Sequence, residues 1–464
     1  MSQRTLYDRL TRKHLKKAWR KIHKRRESYG YDGVTIDAFA SNLTNEIEKL
    51  YNELRSNKFS FRLHRGVPIS KVPGKAPREL KADDLRGIRV PAVRDRVVQK
   101  GIELIINPYL DKKYLLTRNP VNFAYVKDKG LEDALNRVVS LFEAGCRWYY
   151  KGDISKFFDS IDQDLLLNKF IAPALPDSSL DGLIKRALRN EVGNRNKLIR
   201  DGFEVDAIFP NLEMGVPQGG VLSPLFANVY LSGFDREMLN GGFNLIRYAD
   251  DFVVMCMTEA EAIKAEKLAR KIIERDLGLK VHPVGSGKSV IGRFNNITFL
   301  GIRFTGRKRY PSKKATEKMQ SELRRFPRTD LNFTENLVAL TRKVSTWGST
   351  YHFTNTDDRD LYASLNRSLR EAVERVFKRH GVAFSSGRFG KYELEQLGLK
   401  DFDRSVASSH QRILARRAEA AEIIRTRGAA KPHPPSDTDS QDAAGVSHAS
   451  VSINIREKEA EYNI

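Results

Sequence analysis

The sequence predicts an α+β fold. Between residues 131 and 305, helical segments alternate with short strand-like ones, the pattern of a sheet packed on helices. The flanking regions are mostly helical in periodicity, with one extended stretch before residue 80. A chain of 464 residues is also long enough for two or three domains with a sizeable core.

The elements follow in order. Residues 1–30 are strongly basic, and Leu6, Leu10, Leu15, Trp19 and Ile22 form an apolar stripe at helical spacing, so an amphipathic helix with a basic face is expected. A second helix is expected over Ile36–Asn57, with Phe39, Leu43, Ile47, Leu50 and Leu54 on its inner side. The stretch Val67–Arg78 reads as an extended basic strand and turn broken by prolines. Arg86–Gln99 leads into a helix running toward Ile106, and Val221–Leu231 reads as a buried helix. After Pro311 the chain is helical again. Leu337, Leu340, Val344 and Trp347 make one stripe, and Leu361, Leu365, Leu369, Val373 and Phe377 another. Residues 404–427 predict a further basic helix. Beyond Gly428 the composition collapses to Ala, Ser, Pro, Asp and His, which predicts a disordered tail.

Charge narrows the partners. The 81 Lys+Arg against 58 Asp+Glu leave a formal net charge of +23, which points to a polyanion, with nucleic acid first. No run of about 18 apolar residues and no lipidation signal supports a membrane partner. The N-terminal residues lack the apolar core of a signal peptide. Cys146 and Cys256 are far apart and no Cys/His pairing has zinc-ligand spacing. A cytoplasmic, reduced protein without structural zinc is expected.

The chemistry concentrates at Tyr248-Ala249-Asp250-Asp251. Two apolar runs flank the acidic pair, predicting a hairpin with carboxylates at its tip. Adjacent carboxylates repel one another unless a cation neutralises them. Oxygen ligands suit Mg²⁺, which takes one or two carboxylates plus substrate phosphates. A short acidic turn is weak evidence alone. Its partner is Asp153, which ends the strand-like Tyr149-Tyr150-Lys151-Gly152. Brought together, Asp153 and Asp250 would hold two Mg²⁺ ions about 4 Å apart, a clamp that serves phosphoryl transfer.

Four segments occur in sequence: Asp153-Ile-Ser-Lys-Phe-Phe158, Gly215-Val-Pro-Gln-Gly-Gly-Val-Leu-Ser-Pro-Leu-Phe-Ala-Asn228, Tyr248-Ala-Asp-Asp251 and Phe299-Leu-Gly-Ile-Arg-Phe304. Together they resemble the successive palm motifs of a reverse transcriptase in the style of bacterial group II intron-encoded enzymes, over roughly residues 30–350. The resemblance implies a right-hand polymerase fold. Its parts would be a basic N-terminal helix (1–30), fingers (31–130), palm (131–310) and helical thumb (311–380). A basic helical C-terminal extension (381–427) and a disordered tail (428–464) would follow. It implies RNA-directed DNA synthesis from dNTPs, with two Mg²⁺ ions (Mn²⁺ a substitute), an RNA template and a DNA product.

By the same resemblance, Asp153 and Asp250 are the principal metal ligands, with the Ile154 carbonyl beside them and Asp251 in support. Phe158 occupies the steric-gate position that would exclude a ribose 2′-hydroxyl. Gln218 lines the nucleotide pocket, and Gly219 and Gly220 let the backbone approach the base pair. Lys288 would protonate departing pyrophosphate. Lys71, Lys75, Arg78, Arg86 and Arg89 are candidates for the incoming triphosphate. Arg94–Gln99 would contact template or brace the fingers. The segment Gly285–Ser289 lacks P-loop spacing, because position 282 is histidine where glycine is required, so the ATPase reading is discarded.

The chain departs from intron enzymes in two places. Pro120–Gly130 stands where an aromatic-glycine-phenylalanine-arginine-proline signature is usual, and no Cys/His module follows the thumb. These departures favour the stand-alone, defence-associated reverse transcriptases, which work with a structured non-coding RNA. The competing readings are an intron-type maturase acting as splicing cofactor, an RNA-binding scaffold, and RNA synthesis, against which Phe158 argues. Priming through Tyr462 and homo-oligomerisation are left open.

Overall fold

The computed structural model describes residues 4–22, 28–72, 75–189, 191–210, 213–382, 394–395 and 397–428. The predicted tail beyond Gly428, Tyr462 included, lies outside the described residues. The chain divides into two compact units between Arg307 and Lys308.

The first unit is built around a four-stranded antiparallel sheet in the order β4-β5-β3-β6. Its strands are β3 (Trp148–Gly152), β4 (Asn244–Tyr248), β5 (Asp251–Cys256) and β6 (Val290–Arg293). Strand β5 is buried along five of its six residues, which explains its unbroken apolar run Phe252–Cys256. Tyr150, Phe234 and Phe252 lock the sheet to the helix Ser223–Asn240, with the Phe252 ring 5.7 Å from Tyr150 and 5.1 Å from Phe234 in edge-on geometry. Each such aromatic pair contributes about 0.5–1.5 kcal/mol beyond area burial.

An N-terminal helical layer packs into the same core through Leu15, Trp19, Phe39, Ile47 and Leu50. The predicted single helix over Ile36–Asn57 is two helices, Ile36–Ser41 and Leu43–Arg55, broken at Asn42. The helix expected to run toward Ile106 continues to Tyr114 with Pro108 inside it. Strands β1 (Arg65–Ser70) and β2 (Leu85–Val90) pair antiparallel, from Arg65 opposite Val90 to Ser70 opposite Leu85. Strands β7 (Thr298–Phe299) and β8 (Ile302–Thr305) pair antiparallel further along the chain.

The second unit is helical, with helices Lys313–Arg324, Phe333–Thr350, Arg359–Arg379 and Phe402–Gly428. The predicted stripes face its interior: Leu340, Val344, Trp347, Leu365, Leu369 and Val373 are buried. Leu337, Leu361 and Phe377 are half-buried. Gly348 permits a close helix crossing, since a Cβ there would stand 2.5 Å from the Ser405 carbonyl oxygen. No helix among the described residues is long and apolar enough to cross a membrane.

Candidate active site

Strand β3 pairs with β5 as far as its last residue because of one missing side chain. Gly152 stands opposite Phe252, and a Cβ on it would fall 2.2 Å from the Phe252 ring. Glycine therefore lets β5 lie against β3 at its end, and the next residue, Asp153, emerges beside the start of β5 at Asp251. The Asp153 backbone is pinned on both sides. Its N–H donates to Ser289 Oγ at 3.2 Å, and its carbonyl accepts from the His282 N–H at 3.0 Å. A second bond, from the Ser155 N–H to the Lys280 carbonyl at 2.8 Å, completes a bridge across Ile154 that does not use the Ile154 carbonyl.

The predicted hairpin is present. Tyr248 pairs with Asp251, leaving Ala249 and Asp250 as a two-residue turn. Ala249 has φ +58°, the positive value a tight hairpin demands at its first turn residue. Burial raises the Asp250 carboxyl above the ordinary carboxylate range, and the nearby Asp251 and Asp153 raise it further, with Arg86 opposing. Asp251 is raised by burial and by Asp153, with Lys151 and Arg86 opposing. Three acids thus repel one another across the ends of β3 and the β4–β5 turn.

Arg86 links them to a group of cations. The Lys71 ammonium is depressed by desolvation and then by the positive charges of Arg86, Lys156 and Lys288, so these four groups share one electrostatic neighbourhood. Lys288 Nζ donates to His282 Nε2 at 3.1 Å, and the same ring nitrogen lies 3.7 Å from Asp153 Oδ2.

A second cluster adjoins the first. Asp159 follows Phe158 in the turn of helix Phe157–Ser160 and receives Gln218 Nε2 at 3.1 Å and Arg89 Nη1 at 3.5 Å. The Arg89 N–H donates to the Gln218 carbonyl at 2.7 Å, joining β2 to the Val216–Gly220 loop. Phe158 is half-buried, its ring edge-on to Phe157 at 5.3 Å.

Of the predicted residues, Asp153, Asp250 and Asp251 come together with Arg86 and Lys288. Gln218 and Phe158 meet through Asp159. Three placements differ from expectation. Arg89 is 1% exposed and turned to Asp159 and the Pro210 carbonyl, so its guanidinium does not meet solvent. Arg78 is held 3.0 Å from Asp201, and Lys75 sits exposed on the preceding loop. Gly219, at φ +104°, makes room for protein: a Cβ would stand 2.8 Å from the Arg89 carbonyl. Arg94 braces rather than reaches outward, with Glu53 as its partner, and Gln99 Oε1 accepts from the Val221 N–H at 3.1 Å.

Sequence reasoning missed Asp159, His282 and the buried Arg247. The first was legible as an acid directly after Phe158. The last was legible as a charge inside the apolar run Phe243–Tyr248. His282 carried no signal beyond spoiling a P-loop.

Among the described residues, no three His, Cys, Asp or Glu side chains converge tightly enough to enclose a metal ion. The donor chemistry fits Mg²⁺ nonetheless, because that ion is usually held by one or two carboxylates and completed by substrate phosphates and water.

The model of the family described as Reverse transcriptase (RNA-dependent DNA polymerase) matches residues 73–304, half of the chain. Among its relatives is Protein YkfC of Escherichia coli K12, 27% identical over 358 residues, spanning 68% of this chain and 84% of that protein. Another is the group II intron-encoded protein LtrA of Lactococcus lactis subsp. cremoris, 25% identical over 205 residues. That match spans 44% of this chain but only 30% of LtrA, and the match to an uncharacterized 91 kDa protein in the Schizosaccharomyces pombe cob intron spans 22% of that protein. Solved structures similar to the chain include apo telomerase from Candida tropicalis, at 13% identity and TM-score 0.39, covering 85% of this chain and 73% of that one. A partial Cas6-RT-Cas1–Cas2 complex matches at 24% identity and TM-score 0.34, covering 59% of this chain and 43% of that one. The family match runs from the basic loop before β2 through the carboxylate-bearing sheet to the end of β8, and the chain belongs to the reverse transcriptase (RNA-dependent DNA polymerase) family.

Proposed function

We propose that the chain extends a primer 3′-end with dNTPs on an RNA template, at the carboxylates of the β3 end and the β4–β5 turn. One observation carries this reading: Asp153, Asp250 and Asp251 repel one another beside the positive group of Lys71, Arg86, Lys156 and Lys288. An arrangement of acids facing bases suits a metal-bound triphosphate, whose charges match both. Asp153 and Asp250, with the Ile154 carbonyl and Asp251 in support, would hold Mg²⁺. When bound, the metal lowers the pKa of the attacking hydroxyl and offsets charge on the leaving pyrophosphate.

The protein side chains do the rest. Arg86 and Lys71 grip the triphosphate, and Lys288 donates a proton to departing pyrophosphate. The Phe158 ring crowds a ribose 2′-hydroxyl. Gln218, held by Asp159, faces the nascent pair, and Arg89 supports that loop from behind. The divisions into fingers, palm, thumb and basic extension given above belong to this reading.

The finer biological reading is a polymerase copying a dedicated structured non-coding RNA in antiphage defence. Its support is the segment Pro120–Gly130, which stands in place of the intron-enzyme signature. A second reading, a splicing cofactor, is favoured by the intron-encoded relatives. One experiment separates them. RNA and DNA copurifying with the chain are sequenced, for the unaltered protein and for Asp250→Ala/Asp251→Ala. A polymerase yields DNA complementary to one bound RNA, lost in the double variant while the RNA persists. Intron RNA with no complementary DNA would establish the splicing reading, and undiminished synthesis in the variant would overturn the metal site.

A further inference from the structure

A heavily hydrogen-bonded buried charge pair lies directly beneath the acidic turn. Arg247, on β4, is 0% exposed, and its partner Asp235, on helix Ser223–Asn240, is 1% exposed. The pair is bidentate: Arg247 Nε donates to Asp235 Oδ1 at 2.6 Å and Nη2 donates to Oδ2 at 2.5 Å. The remaining nitrogen, Nη1, donates to the Ala249 carbonyl at 2.9 Å and to Asn228 Oδ1 at 3.2 Å.

The surroundings are equally committed. Asn119 Nδ2 donates to Asp235 Oδ2 at 2.7 Å, and Asn228 Nδ2 donates to the Ala124 carbonyl at 2.9 Å. The Arg247 backbone is itself gripped by the same segment. Its N–H donates to the Val121 carbonyl at 2.8 Å, and its carbonyl accepts from the Phe123 N–H at 2.9 Å. One guanidinium therefore ties the helix, the 119–124 segment and β4 to the carbonyl of the residue just before Asp250.

Stability does not account for this arrangement. Burying two charges costs desolvation that their attraction often fails to repay, and apolar replacement of such pairs is frequently neutral or stabilising. What an apolar pair cannot supply is a directed bond to one carbonyl. Ala249 holds φ +58°, a conformation that L residues rarely adopt and that persists only where its surroundings over-determine it. The planar fork fixes where the Ala249 carbonyl points, and through it the backbone from which Asp250 and Asp251 project.

We propose that Asp235 and Arg247 are positioning residues that set the geometry of the acidic turn. The inference rests on the polymerase reading above and deepens it. Two variants of the full chain test it. Arg247→Lys keeps the charge but loses the fork, because one ammonium cannot serve Asp235 at two oxygens and Ala249 as well. Asp235→Leu/Arg247→Met removes both charges.

Each variant is assayed for cooperative thermal unfolding and for kcat and KM with dNTP. A third readout avoids chemistry: the Mg²⁺ midpoint for dNTP binding to a template annealed to a primer lacking its 3′-hydroxyl. The expected result is folded protein with kcat reduced on the order of tenfold to a hundredfold. KM for dNTP should stay within about twofold, and the Mg²⁺ midpoint should move to higher concentration. A folded variant with the parent kcat and Mg²⁺ midpoint would overturn the proposal. So would failure of both variants to fold, since the pair would then serve stability. If the unaltered chain binds no dNTP at any Mg²⁺ concentration, the polymerase reading fails instead.

Discussion

At the scale of single residues, two side chains give sharp expectations. Phe158 is half-buried, packed against the core and edge-on to Phe157. Phe158→Ala should raise the ratio of rNTP to dNTP incorporation without loss of fold, as read by primer extension in competing nucleotides; an unchanged ratio would sink the steric-gate role. Asp95 lies in the first turn of helix Val93–Tyr114, buried, with Asp95 Oδ2 accepting the Arg62 N–H at 2.8 Å. Burial pushes its carboxyl up to about 7, against smaller opposing effects of that bond and of Arg94. A raised carboxyl means that the folded state binds its proton more tightly than the unfolded chain. That stabilisation is present below the unfolded pKa of about 4 and is lost as pH rises through about 7. Asp95→Asn should flatten this decline, changing the difference in unfolding free energy between acid and neutral pH by on the order of 4 kcal/mol, measured by urea titration. Residues of this kind were only partly legible beforehand. The acids at 153, 250 and 251 announce themselves by repulsion in short motifs, whereas the burial of Arg89 and Asp95 depends on neighbours distant in sequence.

At the scale of elements, the joint between β2 and the Val216–Gly220 loop would govern the nucleotide side of the proposed site. The joint rests on the bond from the Arg89 N–H to the Gln218 carbonyl and on the absence of a side chain at Gly219. Gly219→Ala brings a Cβ to 2.8 Å from the Arg89 carbonyl at a φ of +104°. The expected cost is about 1–3 kcal/mol, read as a lower thermal midpoint, together with a raised KM for dNTP as Gln218 shifts. A variant with unchanged KM would show that the loop is not part of the nucleotide pocket. Most elements were legible from periodicity: the β4–β5 hairpin, the helix after Val221 and the stripes beyond Pro311. The errors have local causes. Asn42 breaks a helix whose apolar stripe carries straight through it, and Pro108 is tolerated inside a helix that sequence rules would have ended. The glycines after Gln218 looked like room for substrate, but at Gly219 the neighbour that needs the room is β2, and at Gly220 it is Ser223 and Pro217.

At the scale of the whole molecule, the net charge of +23 sets the terms of nucleic-acid binding. The logarithm of the affinity for RNA should fall linearly with log salt, because each neutralised phosphate releases condensed cations. A filter-binding series in rising KCl checks this, and a flat profile would mean the basic groups do not meet the backbone. Composition made that expectation legible, and four short motifs made the family legible and put Lys71, Arg86 and Lys288 among the candidate cations; that Lys156 shares their neighbourhood was not legible, since it depends on the folded backbone. The contact of Gly152 with Phe252 has a consequence for how this chain can vary. A methyl group at 152 would overlap the Phe252 ring, so the two positions cannot drift independently. In a saturation library selected for DNA synthesis, Gly152 should tolerate alanine only in clones that also carry a smaller residue at 252. At Gly233, where a methyl would meet nothing within 4 Å and no positive φ applies, alanine should appear freely. Paired changes across β3 and β5 would then be the route by which relatives diverge while keeping their acids in place.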